Sequence, residues 1–160
     1  MNKPLASPEL LLVGQLLTQH QDQPGGLLPL LHAVQDALGF IPASAVPLIA
    51  EGMNLSRAEV HGVITYYHFF RSTPPGQHVV QVCRAEACRA CGSEELWAHA
   101  QSLLGCGAHE TSANGQFSLE PVYCLGLCAS SPAVQIDDKL HVRMTQAKLT
   151  SVVAKLGSAA

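Results

Sequence analysis

Export and membrane signals are missing from this chain. Its longest apolar stretches, such as Leu10 to Val13, fall far short of the roughly 20 residues that a membrane span requires. Pro8 and Glu9 also interrupt the region where a signal peptide needs an unbroken apolar segment. A soluble, cytoplasmic protein with no direct membrane insertion is expected. A basic surplus is missing too: nine Lys and Arg against twelve Asp and Glu give a net charge of −3, with an acidic excess on both sides of residue 75. That balance excludes the footprint of a nucleic-acid binder. No glycine-rich phosphate loop, no Ser-His-Asp order and no dinucleotide fingerprint occurs, so no substrate or nucleotide site is visible. Cysteine, finally, is absent from the whole chain ahead of Cys83.

What is present is enough for one ordinary domain or two small ones: 160 residues, 48% hydrophobic. The segment from Met1 to Phe70 reads as helices. Leu27, Leu31, Val34 and Leu38 line one face of a helix that Gly39 can close, and the leucine-rich stretch from Pro8 to His20 supplies another. Ser44 to Met53 reads as a third, with Pro47 in its first turn, where a missing N–H is tolerated. Ser56 and Glu59 form a capping box for a fourth, whose buried stripe would be Val60, Ile64 and Tyr67. The run Ser72-Thr73-Pro74-Pro75-Gly76 can neither continue a helix nor join a sheet, and so marks a boundary.

Beyond it, strand and helix signals mix. His78 to Val82 is a valine-rich apolar run suited to a buried strand that delivers Cys83 at its end, and Ser93 starts a helix carrying Leu96, Trp97, Ala100 and Leu104. Gly105 to Gly115 reads as loop. Phe117 and Leu119 alternate toward Tyr123 as a strand, and Val134 and Ile136 face Leu140 and Val142 across a turn at Asp137 and Asp138, a hairpin signature. Leu149, Val152, Val153 and Leu156 form a closing helical stripe. The fold class is α+β.

The six cysteines are Cys83, Cys88, Cys91, Cys106, Cys124 and Cys128. With no export signal, metal chemistry in a reducing compartment is preferred to a disulfide scaffold. Cys83 with Cys88 and Cys124 with Cys128 form two pairs at loop positions straight after apolar strands, and two thiolates per iron from two loops is what a [2Fe–2S] rhomb requires. Gly126 would let the second loop fold tightly and bring N–H groups toward sulfur. Spacing alone leaves other assignments open. Cys83, Cys88 and Cys91 with Cys124 reproduce the plant-type ferredoxin pattern, though Cys128 would then be idle. Structural zinc favours tight two-residue spacings, which only Cys88 with Cys91 offers. A redox dithiol at that pair would sit where a strand feeds a helix, and here the helix begins only at Ser93. Cys106, between two glycines, reads as a buried small hydrophobe. His61 and His68 lie seven apart on one helix face and could ligate a metal, but without a third partner nearby a packing or solvent role is preferred. Tyr66, Tyr67, Phe69 and Phe70 read as core packing, with a partner interface as the sharper alternative.

Several segments then point to a known family. Phe40-Ile41-Pro42, the run Leu55 to Tyr67, Val82 to Cys88 and Tyr123-Cys124-Leu125-Gly126-Leu127-Cys128 resemble the 24-kilodalton subunit family of respiratory complex I over nearly the whole chain. Within that family, the chain's shortness, the Cys83-Arg84-Ala85-Glu86-Ala87-Cys88 loop and Leu119-Glu120-Pro121-Val122-Tyr123-Cys124 look most like the gamma subunits of soluble, NAD-dependent molybdenum or tungsten formate dehydrogenases. The resemblance implies an N-terminal helical bundle, here residues 1–75, then a thioredoxin-like α/β [2Fe–2S] ferredoxin domain over residues 76–160; the bundle, with no cysteine and no convergent set of histidines, reads as the part that docks the chain. Carried over position by position, the cluster ligands are Cys83, Cys88, Cys124 and Cys128, which decides against the plant-type pattern; Cys91 stands where the family commonly has another residue. It further implies a flavoprotein partner holding FMN and the NADH site and, through it, a molybdenum or tungsten catalytic subunit oxidising formate with NAD⁺ to CO₂ and NADH. An equivalent subunit of complex I or of an NAD-linked hydrogenase is the alternative. No catalytic residue is expected in this chain: it reads as a one-electron carrier whose turnover depends on partners.

Overall fold

The structure, a computed structural model, describes residues 7–158, and the chain divides into two compact units, residues 1–74 and 75–160. In the first, the described residues form four helices: α1 (Pro8–His20), α2 (Leu27–Leu38), α3 (Ala45–Gly52) and α4 (Arg57–Tyr66). Local chemistry explains their ends. The Leu10 N–H donates to the Ser7 hydroxyl at 3.3 Å ahead of Pro8, a capped start at which a prolyl nitrogen loses nothing. Gly39 closes α2 with φ 82°, a left-handed conformation that favours glycine. The capping box of α4 is complete: the Glu59 N–H donates to Ser56 Oγ at 3.1 Å, and the Ser56 N–H donates to the Glu59 carboxylate at 2.8 Å. Val13, Leu30, Leu31, Val34, Ile41, Ile49 and Val60 fill the core between the helices.

Two expectations for this unit fail at the end of α4. The helix stops at Tyr66, so Tyr67 leaves the buried stripe and is 43% exposed, and His68 shares no helical face with His61. The cause is a tertiary tie. The Gln35 side chain donates to the Phe69 carbonyl at 2.8 Å and accepts the Arg71 N–H at 2.7 Å, which takes this backbone out of the helical pattern while satisfying a buried amide. The bend turns Phe70 inward and leaves Tyr66, Tyr67 and Phe69 exposed, so core packing accounts for one ring of the four.

The second unit is a five-stranded sheet with helices: β1 (His78–Cys83), α5 (Glu86–Ala90), α6 (Ser93–Leu104), β2 (Glu110–Thr111), β3 (Phe117–Val122), β4 (Val134–Ile136), β5 (Lys139–His141) and α7 (Gln146–Gly157), with a short 3₁₀ turn at Cys128–Ser130. The strand order is β2-β3-β1-β4-β5, parallel between β1 and β3 and antiparallel elsewhere. Val80 and Val82, alternate residues of β1, face a core shared with Leu119, Val134, Ile136, Leu96, Trp97, Ala100 and Leu149, the two-residue period of a strand meeting the helical stripes of α6 and α7. The hairpin turns at Asp137, whose φ is 51°, as its sequence suggests. Two short elements lie where loop was expected. They are β2, which pairs with β3 inside 105–115, and α5, which carries Cys88. Among the described residues no helix is long and apolar enough to cross a membrane.

Register is what positions the site. β1 and β3 run side by side with Cys83 opposite Val122, and the Arg84 N–H continues the pairing onto the Val122 carbonyl at 2.7 Å. The chain therefore leaves both strands at the same end of the sheet, delivering Cys83 from one and Cys124 from the other.

Candidate metal centre

Cys83 ends β1, and after Arg84 and Ala85 the chain makes the single short helix α5, which swings Cys88 back beside it. Both thiols are 2% exposed and pack with Ala133, lined by Ala85, Val122, Leu125 and Leu127. The first pair is therefore buried rather than set in an open turn, because α5 folds it under the second loop. Cys124 and Cys128 are exposed, with their sulfurs 4.0 Å apart. Cys124 adopts φ 142° and Gly126 φ 73°, and this bend lets the Gly126 N–H donate to Cys124 Sγ at 3.3 Å, the tight turn that Gly126 implied.

Packing brings the two loops together, with Leu125 and Leu127 of the second against Cys83 and Cys88 of the first. Burial pushes the Cys83 thiol up, against the N–H groups of Ala85 and of Leu125 from the other loop. Burial also opposes ionisation of Cys88, but the Ser131 hydroxyl, the Ala133 N–H and Cys83 together bring it below the ordinary thiol value. Ser131 Oγ lies 3.4 Å from Cys88 Sγ. Cys128 is raised, chiefly by Cys124 beside it and more weakly by the negative charge of Cys88. Once one of two neighbouring thiols has ionised the pair shares the remaining proton, which holds the second thiol up, and N–H donors aimed at sulfur favour the thiolates that bind metal.

The remaining cysteines stand apart. Cys91 is exposed just after α5, and Cys106 is buried in the sheet core with Phe117 and Leu119, as a small hydrophobe would be. Among the described residues no three His, Cys, Asp or Glu side chains converge on one point as a single metal ion demands. The four thiols come as two pairs, an arrangement that suits a binuclear iron–sulfide group with one pair on each iron. Apart from the Gly126 N–H, sequence reasoning missed the donors around them. Ser131 follows Cys128 by three residues, but nothing in that spacing tells that it meets Cys88. Arg84 was likewise unremarked: its guanidinium donates to both oxygens of Glu94 at 3.2 and 2.8 Å and lies 4.9 Å over the Trp97 ring, fastening the Cys83 segment to α6.

A sheet that brings two thiol pairs to the end of its parallel strands, with amides aimed at the sulfurs, defines a ferredoxin-class domain on a thioredoxin-like frame. Residues 13–157 match the family described as thioredoxin-like [2Fe-2S] ferredoxin, and the chain belongs to that family. Its cofactor is accordingly a [2Fe–2S] cluster. Similar proteins include NADH-quinone oxidoreductase subunit 2 of Thermus thermophilus, 35% identical across 81% of this chain and 72% of its own length. An NADH-quinone oxidoreductase subunit of Pseudomonas aeruginosa is 36% identical across 76% and 74%, and the NADP-reducing hydrogenase subunit HndA of Solidesulfovibrio fructosivorans is 27% identical across 89% and 84%. Among solved structures, an NAD⁺-reducing [NiFe]-hydrogenase in the air-oxidised state superposes with a TM-score of 0.69 at 22% identity over 84% of this chain. That likeness is one of fold, and the present chain spans 23% of the hydrogenase chain.

Proposed function

We propose that this chain is the electron-transfer subunit of an NAD-linked oxidoreductase, with Cys83 and Cys88 holding one iron of its [2Fe–2S] cluster and Cys124 and Cys128 the other. The observation that carries this reading is the delivery of both thiol pairs to one end of the sheet by the in-register ends of β1 and β3. When bound, the cluster supplies reversible storage of one electron. The chain's own residues hold and tune it. The N–H groups of Ala85, Leu125, Ala133 and Gly126 stabilise thiolate charge, and Val122, Leu125, Leu127 and Ala133 keep water from the inner pair. The exposed outer pair is the side open to an electron partner.

That partner is a flavoprotein subunit carrying FMN and the NADH site. Hydride transfer moves two electrons and this site takes one, so a two-electron cofactor must stand between NADH and the chain. The names of the similar proteins, subunits of NADH-quinone oxidoreductases and of an NADP-reducing hydrogenase, support such a module. Within it, the finer reading is a formate dehydrogenase complex with a molybdenum or tungsten catalytic subunit, supported by the segments Cys83 to Cys88 and Leu119 to Cys124. The quinone- and hydrogen-linked complexes are the second reading, favoured by those same relatives.

The test of the role is to reduce the cluster of the isolated chain with dithionite and add NAD⁺ with and without the flavoprotein subunit. Reoxidation only in its presence is expected; rapid reoxidation by NAD⁺ alone would reveal a nucleotide site and refute the carrier role. For the parent complex, the tagged chain is recovered from its native cells and assayed for NAD⁺ reduction by formate or hydrogen and for NADH-dependent quinone reduction. Formate-linked turnover alone is expected.

A further inference from the structure

We infer that Ser131 is a positioning residue for the cluster, whose hydroxyl donates to the Cys88 sulfur and raises the reduction potential. The inference rests on the reading of Cys88 as a ligand. Ser131 touches a residue of each thiol pair: its Oγ is 3.4 Å from Cys88 Sγ and donates to the Cys128 carbonyl at 2.8 Å. A seryl hydroxyl has one proton to give. While Cys88 is a thiol, its S–H can donate to Ser131 Oγ, and the Ser131 hydroxyl goes on donating to the Cys128 carbonyl. A ligating cysteine has lost that proton, so its sulfur can only accept. The Ser131 hydroxyl, already at contact distance, is the side-chain donor on hand, and rotation about one bond turns it from the carbonyl to the sulfur.

The direction of the effect follows from charge. Reduction adds one negative charge, spread over the irons and their sulfurs, so a donor on a ligand sulfur stabilises the reduced state more than the oxidised one. Cys88 is buried, and the charge it faces is poorly screened. The Ala133 N–H meets the same sulfur but is fixed by the backbone; Ser131 is the donor that a substitution can remove.

The experiment uses the full chain with its cluster loaded anaerobically, as wild type, Ser131→Ala, Ser131→Thr, Ser131→Val and, as a control one residue away, Ser130→Ala. The reduced-to-oxidised ratio at a fixed poise is read by electron paramagnetic resonance, and pulsed spectra in D₂O read exchangeable protons near the reduced cluster. Ser131→Ala and Ser131→Val should lower the ratio threefold to tenfold, the latter being about 59 mV for a one-electron couple, and should lose one exchangeable coupling. Ser131→Thr should restore both, and Ser130→Ala should match wild type. Each reading comes from loaded molecules only, so poor loading does not blunt it, and Val against Thr compares equal bulk with and without a hydroxyl. Wild-type ratios and an undiminished coupling in Ser131→Ala and Ser131→Val would overturn the inference. Cys88→Ser is measured in parallel: loss of iron and sulfide there upholds the ligand reading whatever Ser131 does, whereas an unchanged cluster would overturn that reading itself.

Discussion

Cys88 and Cys124 are held in opposite ways, one sealed under apolar side chains and the other exposed on a strained turn, yet the proposal gives them the same task. Single Cys→Ser replacement at 83, 88, 124 or 128 should therefore abolish or severely deplete the cluster, while Cys91→Ser and Cys106→Ser should keep it. Iron and acid-labile sulfide per chain is the measurement, and a cluster lost in Cys91→Ser but kept in Cys128→Ser would restore the plant-type pattern. Gly126 permits a finer test. A methyl there would meet nothing within 4 Å, but its φ of 73° is strained for any other residue. Gly126→Ala should thus cost about 1–2 kcal/mol through the backbone alone, seen as a lower melting temperature. Unchanged melting would show that the turn relaxes freely. At this scale the thiol pairs and Gly126 were legible, since spacing and residue type carry them. Ser131 was not, because its contact joins residues 43 positions apart.

At the scale of elements, the start of α4 was readable in full from Ser56 and Glu59, because a capping box is closed by residues three apart. Ser56→Ala should cost about 1 kcal/mol of stability, measured by denaturant unfolding. Glu59 adds a pH signature. Its carboxyl is held below the ordinary value, first by the Ser56 N–H and then by the Ser56 hydroxyl, so its stabilisation is complete above the ordinary carboxylate pKa and is lost as pH falls through the depressed one. The melting gap between wild type and Glu59→Gln should therefore close as the solution is acidified below pH ~4. A gap independent of pH would mean that the carboxylate charge does not matter there. The two elements that were missed have a common cause: α5 has five residues and β2 two, too short for either hydrophobic period to declare itself. The end of α4 was misplaced for another reason, since Gln35, two helices earlier in the chain, decides it.

On the scale of the whole molecule, each unit carries its own apolar core, so residues 75–160 alone should fold and take up the cluster. If the helical unit docks the chain, as its cysteine-free sequence and the exposed Tyr66, Tyr67 and Phe69 suggest, that fragment should no longer co-purify with the flavoprotein subunit. Undiminished co-purification would refute the docking role. By itself the sequence determined the break near Pro74, the four helices before it, the hairpin at Asp137 and Asp138, and the pairing of the cysteines, because each is written in periods, caps and spacings shorter than about a dozen residues. Only the tertiary structure decided which thiols are buried, that Cys83 and Cys124 leave neighbouring parallel strands at one end of the sheet, and which amides and hydroxyl face the sulfurs. Those facts depend on strand register and on contacts between segments far apart in the chain, and local residue pattern places no constraint on which distant segments become neighbours until the sheet has formed.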